Sequence, residues 1–271
     1  MNKEKIVAII SAAILLFLCL WLSFDNKKSG KTEYDVVFFG DSVIAGDHYH
    51  DSVPEYLSQF TGLSVLNAAF GGTKMSLGNP HDSYVDYSMF FSGASLSYMV
   101  RSGDFSALLS ACDENDERMC NVASGLANTK WSRVDYILLE QCVNDYVNGV
   151  VVDNSNDIFD ATTFGGALRC TILNLQKALP NAKIVLVSPI YCAIQGYEGD
   201  CLSHDFGGGV LTDFIAKEKE IADEYGLLFI NNFEEVPINA SNYNEYLGDG
   251  LHENDEGAQM IARNIAKYIV D

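Results

Sequence analysis

The sequence predicts an α/β fold built around a parallel sheet, and two patterns predict it. Five short runs, at residues 35–39, 64–67, 136–140, 183–188 and 228–231, are almost continuously apolar, as strands buried on both faces must be. Helix-length stretches at 53–60, 163–178, 211–225 and 255–269 alternate with them, the order expected when helices cover a parallel sheet.

Taken in chain order, the run at 35–39 leads into Gly40-Asp41-Ser42, and the run at 64–67 into Ala68-Ala69-Phe70-Gly71-Gly72. The helix from 163 meets a stop signal at Leu179-Pro180-Asn181, and the one from 211 ends at Gly226, a residue suited to a helix C-terminus. Residues 73–133 break the alternation. They are rich in Ser, Tyr, Asp and Met and show one clear helical stretch at 95–111, so they read as an insertion, either a binding loop or an irregular excursion. No internal repeat, low-complexity tract or second domain interrupts residues 34–271.

Residues 6–24 are apolar except for Ser11 and Ser23, long enough to cross a bilayer as one helix, with no small-residue cleavage pattern at their end. They predict an uncleaved membrane anchor over 1–24, followed by a polar linker at 25–33. Lys3 and Lys5 precede the segment, whereas Lys27, Lys28 and Lys31 follow it, so the flanking charge leans toward a cytoplasmic domain. A short N-terminus before an apolar run nevertheless works as an export signal, and the expectation is a domain outside the cytoplasm.

Net charge is −20 and the isoelectric point about 4.4. Such a surface repels phosphate backbones and excludes nucleic acid as a partner. Cys19 falls in the anchor. Of the other six cysteines, Cys112 and Cys120 flank one turn-like stretch and Cys192 and Cys201 another, consistent with local disulfides or with free thiols. No spacing matches a zinc site, and no cofactor is implied.

Ser42 follows the first strand at the edge where sites form in such sheets. Asp249-Gly250-Leu251-His252 places a carboxylate and an imidazole three residues apart, ahead of the last helix. A serine hydroxyl needs a base to become nucleophilic, and the base needs a carboxylate to fix its tautomer. Acyl transfer also needs fixed donors for the oxyanion. Gly71-Gly72 after the second strand and Asn144 after the third supply candidates at the same rim. The G-x-S-x-G signature of ordinary α/β-hydrolases is absent.

These four blocks, Phe39-Gly40-Asp41-Ser42, residues 67–72, Asn144-Asp145 and Asp249-Gly250-Leu251-His252, resemble in order those of the SGNH, or GDSL, hydrolase family. The resemblance runs from Tyr34 to the C-terminus. It implies a three-layer α/β/α, flavodoxin-like fold with a five-stranded parallel sheet. It makes Ser42 the nucleophile, His252 the base and Asp249 its orienting acid, with the Ser42 and Gly72 amides and the Asn144 side chain as the oxyanion hole. Two departures stand out: Val143 replaces the small residue usual before Asn144, and the stretch between the second and third blocks is long.

His48, His50 and Asp51 suggest a metal site, but the residues lack a third-ligand pattern and read better as a helix cap. His81 and His204 read as loop residues. Tyr84, Tyr87, Phe90, Phe91 and Tyr98 line a substrate cleft or pack the insertion. The expected activity is a serine esterase, plausibly removing O-acetyl groups from carbohydrate. An O-acyltransferase or a lysophospholipase or thioesterase of the same fold is the alternative, and a non-catalytic surface module is the competitor of another class.

Overall fold

The strands form because alternate side chains find an apolar layer on each side. In β1 (Val36–Gly40) every residue is buried. Val36 and Phe38 join one core with Leu57, Ile261 and Ile265, while Val37 and Phe39 join the other with Leu126, Ile172 and Phe214. A strand's two-residue period sends neighbouring side chains to opposite faces, so the apolar runs were continuous rather than alternating. A computed structural model describes residues 31–46, 52–77 and 88–269, and Glu33–Asp271 forms one compact unit.

After β1 come α1 (Ser42–Ala45), α2 (Val53–Thr61) and β2 (Val65–Asn67). Four helices follow: α3 (Ser88–Phe91), α4 (Gly93–Ser102), α5 (Ser106–Ala111) and α6 (Glu117–Asn128). Then come β3 (Tyr136–Glu140), α7 (Val143–Val147), α8 (Phe164–Ala178), β4 (Lys183–Val187), α9 (Leu211–Tyr225) and β5 (Leu228–Ile230). The short α10 (Asn232–Glu235) and α11 (Tyr243–Tyr246) precede the closing α12 (Asp255–Ile269).

The five strands pair in parallel in the order β2-β1-β3-β4-β5. Helices α2 and α12 contribute to the core on one face; α4, α6, α8 and α9 contribute to the core on the other, giving three layers. The order reverses between β1 and β3, so the chain leaves those two strands in opposite directions and opens a crevice at their carboxyl ends.

The predicted strands and the four flanking helices agree with these elements to within a residue. The insertion differs. The stretch 95–111 is two helices, because Gly103 (φ 71°) caps α4 in the left-handed region and the Asp104 side chain then accepts the Ser106 amide. A further helix, α6, was not anticipated. Its buried Met119, Val122, Ala123 and Leu126 fall at helical spacing, and Asp116 caps its start by accepting the Met119 amide. Far from an irregular excursion, the described part of 73–133 supplies much of one core: Met75, Phe91, Leu96, Leu108 and Leu126 are all buried there.

Among the described residues no helix is long and apolar enough to cross a membrane. The expected anchor at 6–24, with Cys19, lies outside the described residues, as do most of the linker, His48, His50, Asp51, His81, Tyr84 and Tyr87.

Candidate functional site

The crevice between β1 and β3 gathers the four sequence blocks. Ser42 opens α1 one residue beyond β1, and Asp41 caps that helix by accepting the Val43 amide at 2.9 Å. Gly40 permits the turn: a Cβ there would approach the Ile44 side chain to 2.6 Å. Ser42 Oγ lies 2.9 Å from His252 Nε2, across 210 positions of sequence, and His252 Nδ1 lies 2.7 Å from Asp249 Oδ2.

The loop bearing His252 is shaped by the same carboxylate that touches its ring. Asp249 Oδ1 accepts the amides of Leu251 and His252 at 2.9 and 2.8 Å, an Asx-type turn, while Oδ2 faces the imidazole. Gly250 (φ 83°) completes the turn, and its carbonyl accepts the Ala193 amide at 2.8 Å; a Cβ there would collide with the Ala193 carbonyl. Partial burial pushes the Asp249 carboxyl up, but the His252 amide, the His252 ring and the Leu251 amide together hold it below its ordinary value. It therefore stays ionised and holds the Nδ1 proton, leaving Nε2 free to accept from the Ser42 hydroxyl.

The candidate oxyanion donors sit on two sides of Ser42. Gly72 takes φ 71°, and a Cβ on its neighbour Gly71 would lie 3.8 Å from Ser42 Cβ, so the glycine turn runs directly past the serine. Asn144 lies in the first turn of α7 and donates one Nδ2 hydrogen to Asp41 Oδ2 at 3.0 Å. Val143, the bulkier neighbour, is buried in the core, and Asn144 keeps its place at the rim.

Three positioning contacts escaped the sequence reading. Asp41 is fully buried; burial pushes its carboxyl up to about 6, against the Val43 amide, the Asn144 amide and the nearby His252, which pull it down. Asp145 is also fully buried and accepts the amides of Met75 and Ser76 at 2.7 and 3.1 Å. Gln141 Nε2 donates to Thr73 Oγ1 at 3.1 Å, and that hydroxyl donates to the Phe70 carbonyl. These contacts fasten the glycine turn to the end of β3. The signal available for them was the position of polar residues straight after β3.

Behind the site lie Glu140 and Glu218, both buried, with neither Glu140 oxygen hydrogen-bonded. Burial, then the charges of Asp41, Glu218 and Glu253, push the Glu140 carboxyl well up, and burial alone does so for Glu218. Burial, then the charges of Glu218, Asp145, Glu140 and Asp41, also raise the Cys142 thiol, which keeps it in its weakly nucleophilic protonated form. The six described cysteines are free thiols, Cys192 and Cys201 adjoining through a 3.3 Å contact from the Cys192 amide to Cys201 Sγ. Among the described residues no His, Cys, Asp and Glu cluster could hold a metal. Phe91 packs on Phe70 in the core, whereas Phe90 and Tyr98 are exposed on the rim of a separate groove. The His204 ring packs beside Tyr197 and Phe206 in a loop.

The fold is that of the SGNH/GDSL esterases and lipases, which stand among its structural neighbours together with carbohydrate acetylesterases. A carbohydrate acetylesterase from Sinorhizobium meliloti shares 15% identity at a TM-score of 0.54, over 88% of this chain and 98% of that one. A protein from Desulfitobacterium hafniense assigned to the G-D-S-L family of lipolytic proteins shares 13% at 0.53, over 87% and 98%. A Lactobacillus plantarum protein shares 20% at 0.58, over 88% and 97%. No family model and no curated protein matches the sequence.

The buried acids have a consequence for stability. Asp41 and Asp145, both near 6 when folded, exceed their ordinary value of 3.8, and burial pushes Glu140 and Glu218 well above their ordinary 4.5. The folded state thus holds more protons than the unfolded one above about pH 4, and their contribution to stability declines as pH rises from about 4 through about 6. Urea midpoints should be lower at about pH 8 than at about pH 5, and the Glu140→Gln/Glu218→Gln double variant should narrow that gap. A midpoint rising over that interval would contradict the assignment.

Proposed function

We propose that the chain is a serine esterase that hydrolyses carboxylic esters through an acyl-Ser42 intermediate, with O-acetyl groups on carbohydrate as its substrate class. The observation that carries this reading is the hydrogen-bonded line Ser42–His252–Asp249, with contacts of 2.9 and 2.7 Å. Likeness of fold to carbohydrate acetylesterases supports the choice of substrate class.

In this reading the Ser42 Oγ attacks the ester carbonyl as His252 Nε2 takes its proton. The developing imidazolium is stabilised by Asp249, whose carboxylate already receives the Nδ1 hydrogen. Negative charge growing on the carbonyl oxygen is met by the Ser42 and Gly72 amides and by the Asn144 Nδ2 hydrogen that Asp41 does not occupy. His252 then returns its proton to the leaving alcohol, collapsing the tetrahedral species to the acyl-enzyme. The imidazole side chain is 34% exposed, so water can reach it, give a proton to Nε2 as its oxygen attacks the acyl carbonyl, and release the acid when the Oγ–acyl bond breaks and Nε2 returns that proton to Ser42.

The full chain should release nitrophenol from 4-nitrophenyl acetate faster than from longer acyl esters. Ser42→Ala should reduce turnover to background, and Asp249→Asn should lower kcat by roughly 10⁴-fold, the loss that follows when a triad acid loses its charge. Equal rates for wild type and Ser42→Ala would sink the reading. We further propose that residues 6–24 anchor the chain with its domain outside the cytoplasm. Protease added to intact cells should then remove the domain, and protection would place it inside.

A further inference from the structure

Beside the oxyanion donors lies a cavity of about 610 Å3 whose walls include Lys74, Asn148, Asn154, Ser155, Asp160 and Thr162. Two of these residues tie it to the site. Lys74 follows Gly72 by two positions on the segment that Asp145 fastens through the Met75 and Ser76 amides. Asn148 is one turn beyond Asn144 and donates to the Asn144 carbonyl at 2.7 Å. A substrate whose carbonyl sits among the oxyanion donors therefore has this cavity next to it.

The lining decides which part of an ester enters. A hydrocarbon chain would strip water from amides, hydroxyls and charges without replacing their hydrogen bonds, a cost that grows with each group covered. A polyhydroxylated alcohol replaces them. An acetyl group needs only a small fraction of the volume, so the cavity fits the alcohol side of the ester.

The charges in the wall are unequal in their freedom. Asp160 Oδ1 receives the Thr162 amide and hydroxyl, and its Oδ2 receives Asn154 Nδ2 at 2.9 Å. Asp153, on the same wall, is held by Arg169 and Lys217, each at 3.1 Å. The Lys74 carbonyl accepts the Gly93 amide at 3.0 Å, but its ammonium makes no hydrogen bond or ion pair with a described residue. The Asp145 carboxylate, which feels its field, is occupied by the two backbone amides. In a chain of net charge −20, the ammonium of half-buried Lys74, without a hydrogen-bonding partner among the described residues and at the wall of a polar cavity, is a binding group for an anion.

We propose that this cavity is the alcohol subsite of the esterase, and that it selects esters of polyols carrying one anionic group, which Lys74 binds. This rests on the esterase reading. A carboxylate on a sugar ring and a phosphate on glycerol share the required chemistry.

The test compares acetate release from three monoacetyl esters, of glucose, glucuronate and glycerol 3-phosphate, by the full chain and by Lys74→Met and Lys74→Glu. The wild type should prefer at least one anionic ester over the glucose ester by about tenfold in kcat/KM, the factor one charge-assisted hydrogen bond supplies. The preferred ester identifies the source of the anion. Lys74→Met should bring the ratio close to one through KM, Lys74→Glu should invert it, and added salt should weaken it in the wild type. A wild-type ratio near one, or a ratio that survives Lys74→Met, overturns the proposal.

Calorimetry separates this failure from failure of the esterase reading, since binding of free glucuronate or glycerol 3-phosphate to Ser42→Ala needs no catalysis. Binding that Lys74→Met abolishes supports the subsite even where no ester is cleaved. Ester cleavage with no such binding rejects the subsite alone.

Discussion

One buried carboxyl group joins the two strands between which the site opens. Asp41 terminates β1, caps the helix that carries Ser42 and accepts the Asn144 amide from beyond β3. A fully buried acid without partners is costly, and here two donors offset much of that cost. Removing either donor would leave the other groups buried and unmet, at about 1–3 kcal/mol for each unsatisfied polar atom. The serine and the amide that flank the crevice are thus held by one side chain, so their separation is fixed before any substrate arrives.

A second set of contacts does the same for the glycine turn. Asp145 receives the Met75 and Ser76 amides, and Gln141 reaches Thr73, so two polar residues from the short stretch after β3 hold the segment after Gly72. Below them Glu140, Glu218 and Cys142 are buried, and burial pushes the pKa of each well up. Of the groups around Ser42, only the exposed loop with Asp249 and His252 arrives from the far end of the chain. That loop holds its own shape, because Asp249 folds the turn with one oxygen and orients the imidazole with the other.

What could be read from the sequence follows from these causes. Strands such as Val36–Gly40 were visible because burial on both faces leaves a continuous apolar run. Ser42, Gly72 and Asn144 could be named as candidates because a topological rule puts site residues just after parallel strands, Asp249 and His252 because they bring a carboxylate and an imidazole together just before the last helix, and a family resemblance matched their types. The insertion was obscured. Helix α4 buries Gly93, Ala94 and Ser97 beside Leu96, Met99 and Val100, and its small residues, which permit close approach, carry little hydropathy signal. Gly93 has no room for a Cβ beside Met75 and Gln141, a tertiary fact with no local trace. Asp41, Asp145 and Glu140 read as ordinary polar loop or strand-end residues, since only the three-dimensional crossing of β1 and β3 buries them.

In the proposed reaction Ser42 is the one activated nucleophile among the described residues. The most direct measurement is mass spectrometry of the full chain after reaction with a fluorophosphonate, which forms a stable adduct only with a base-activated serine. A single adduct on the peptide containing Ser42, lost in His252→Ala and with Cys142 unmodified, is the predicted result. An unlabelled Ser42, or labelling at undiminished rate without His252, would contradict it.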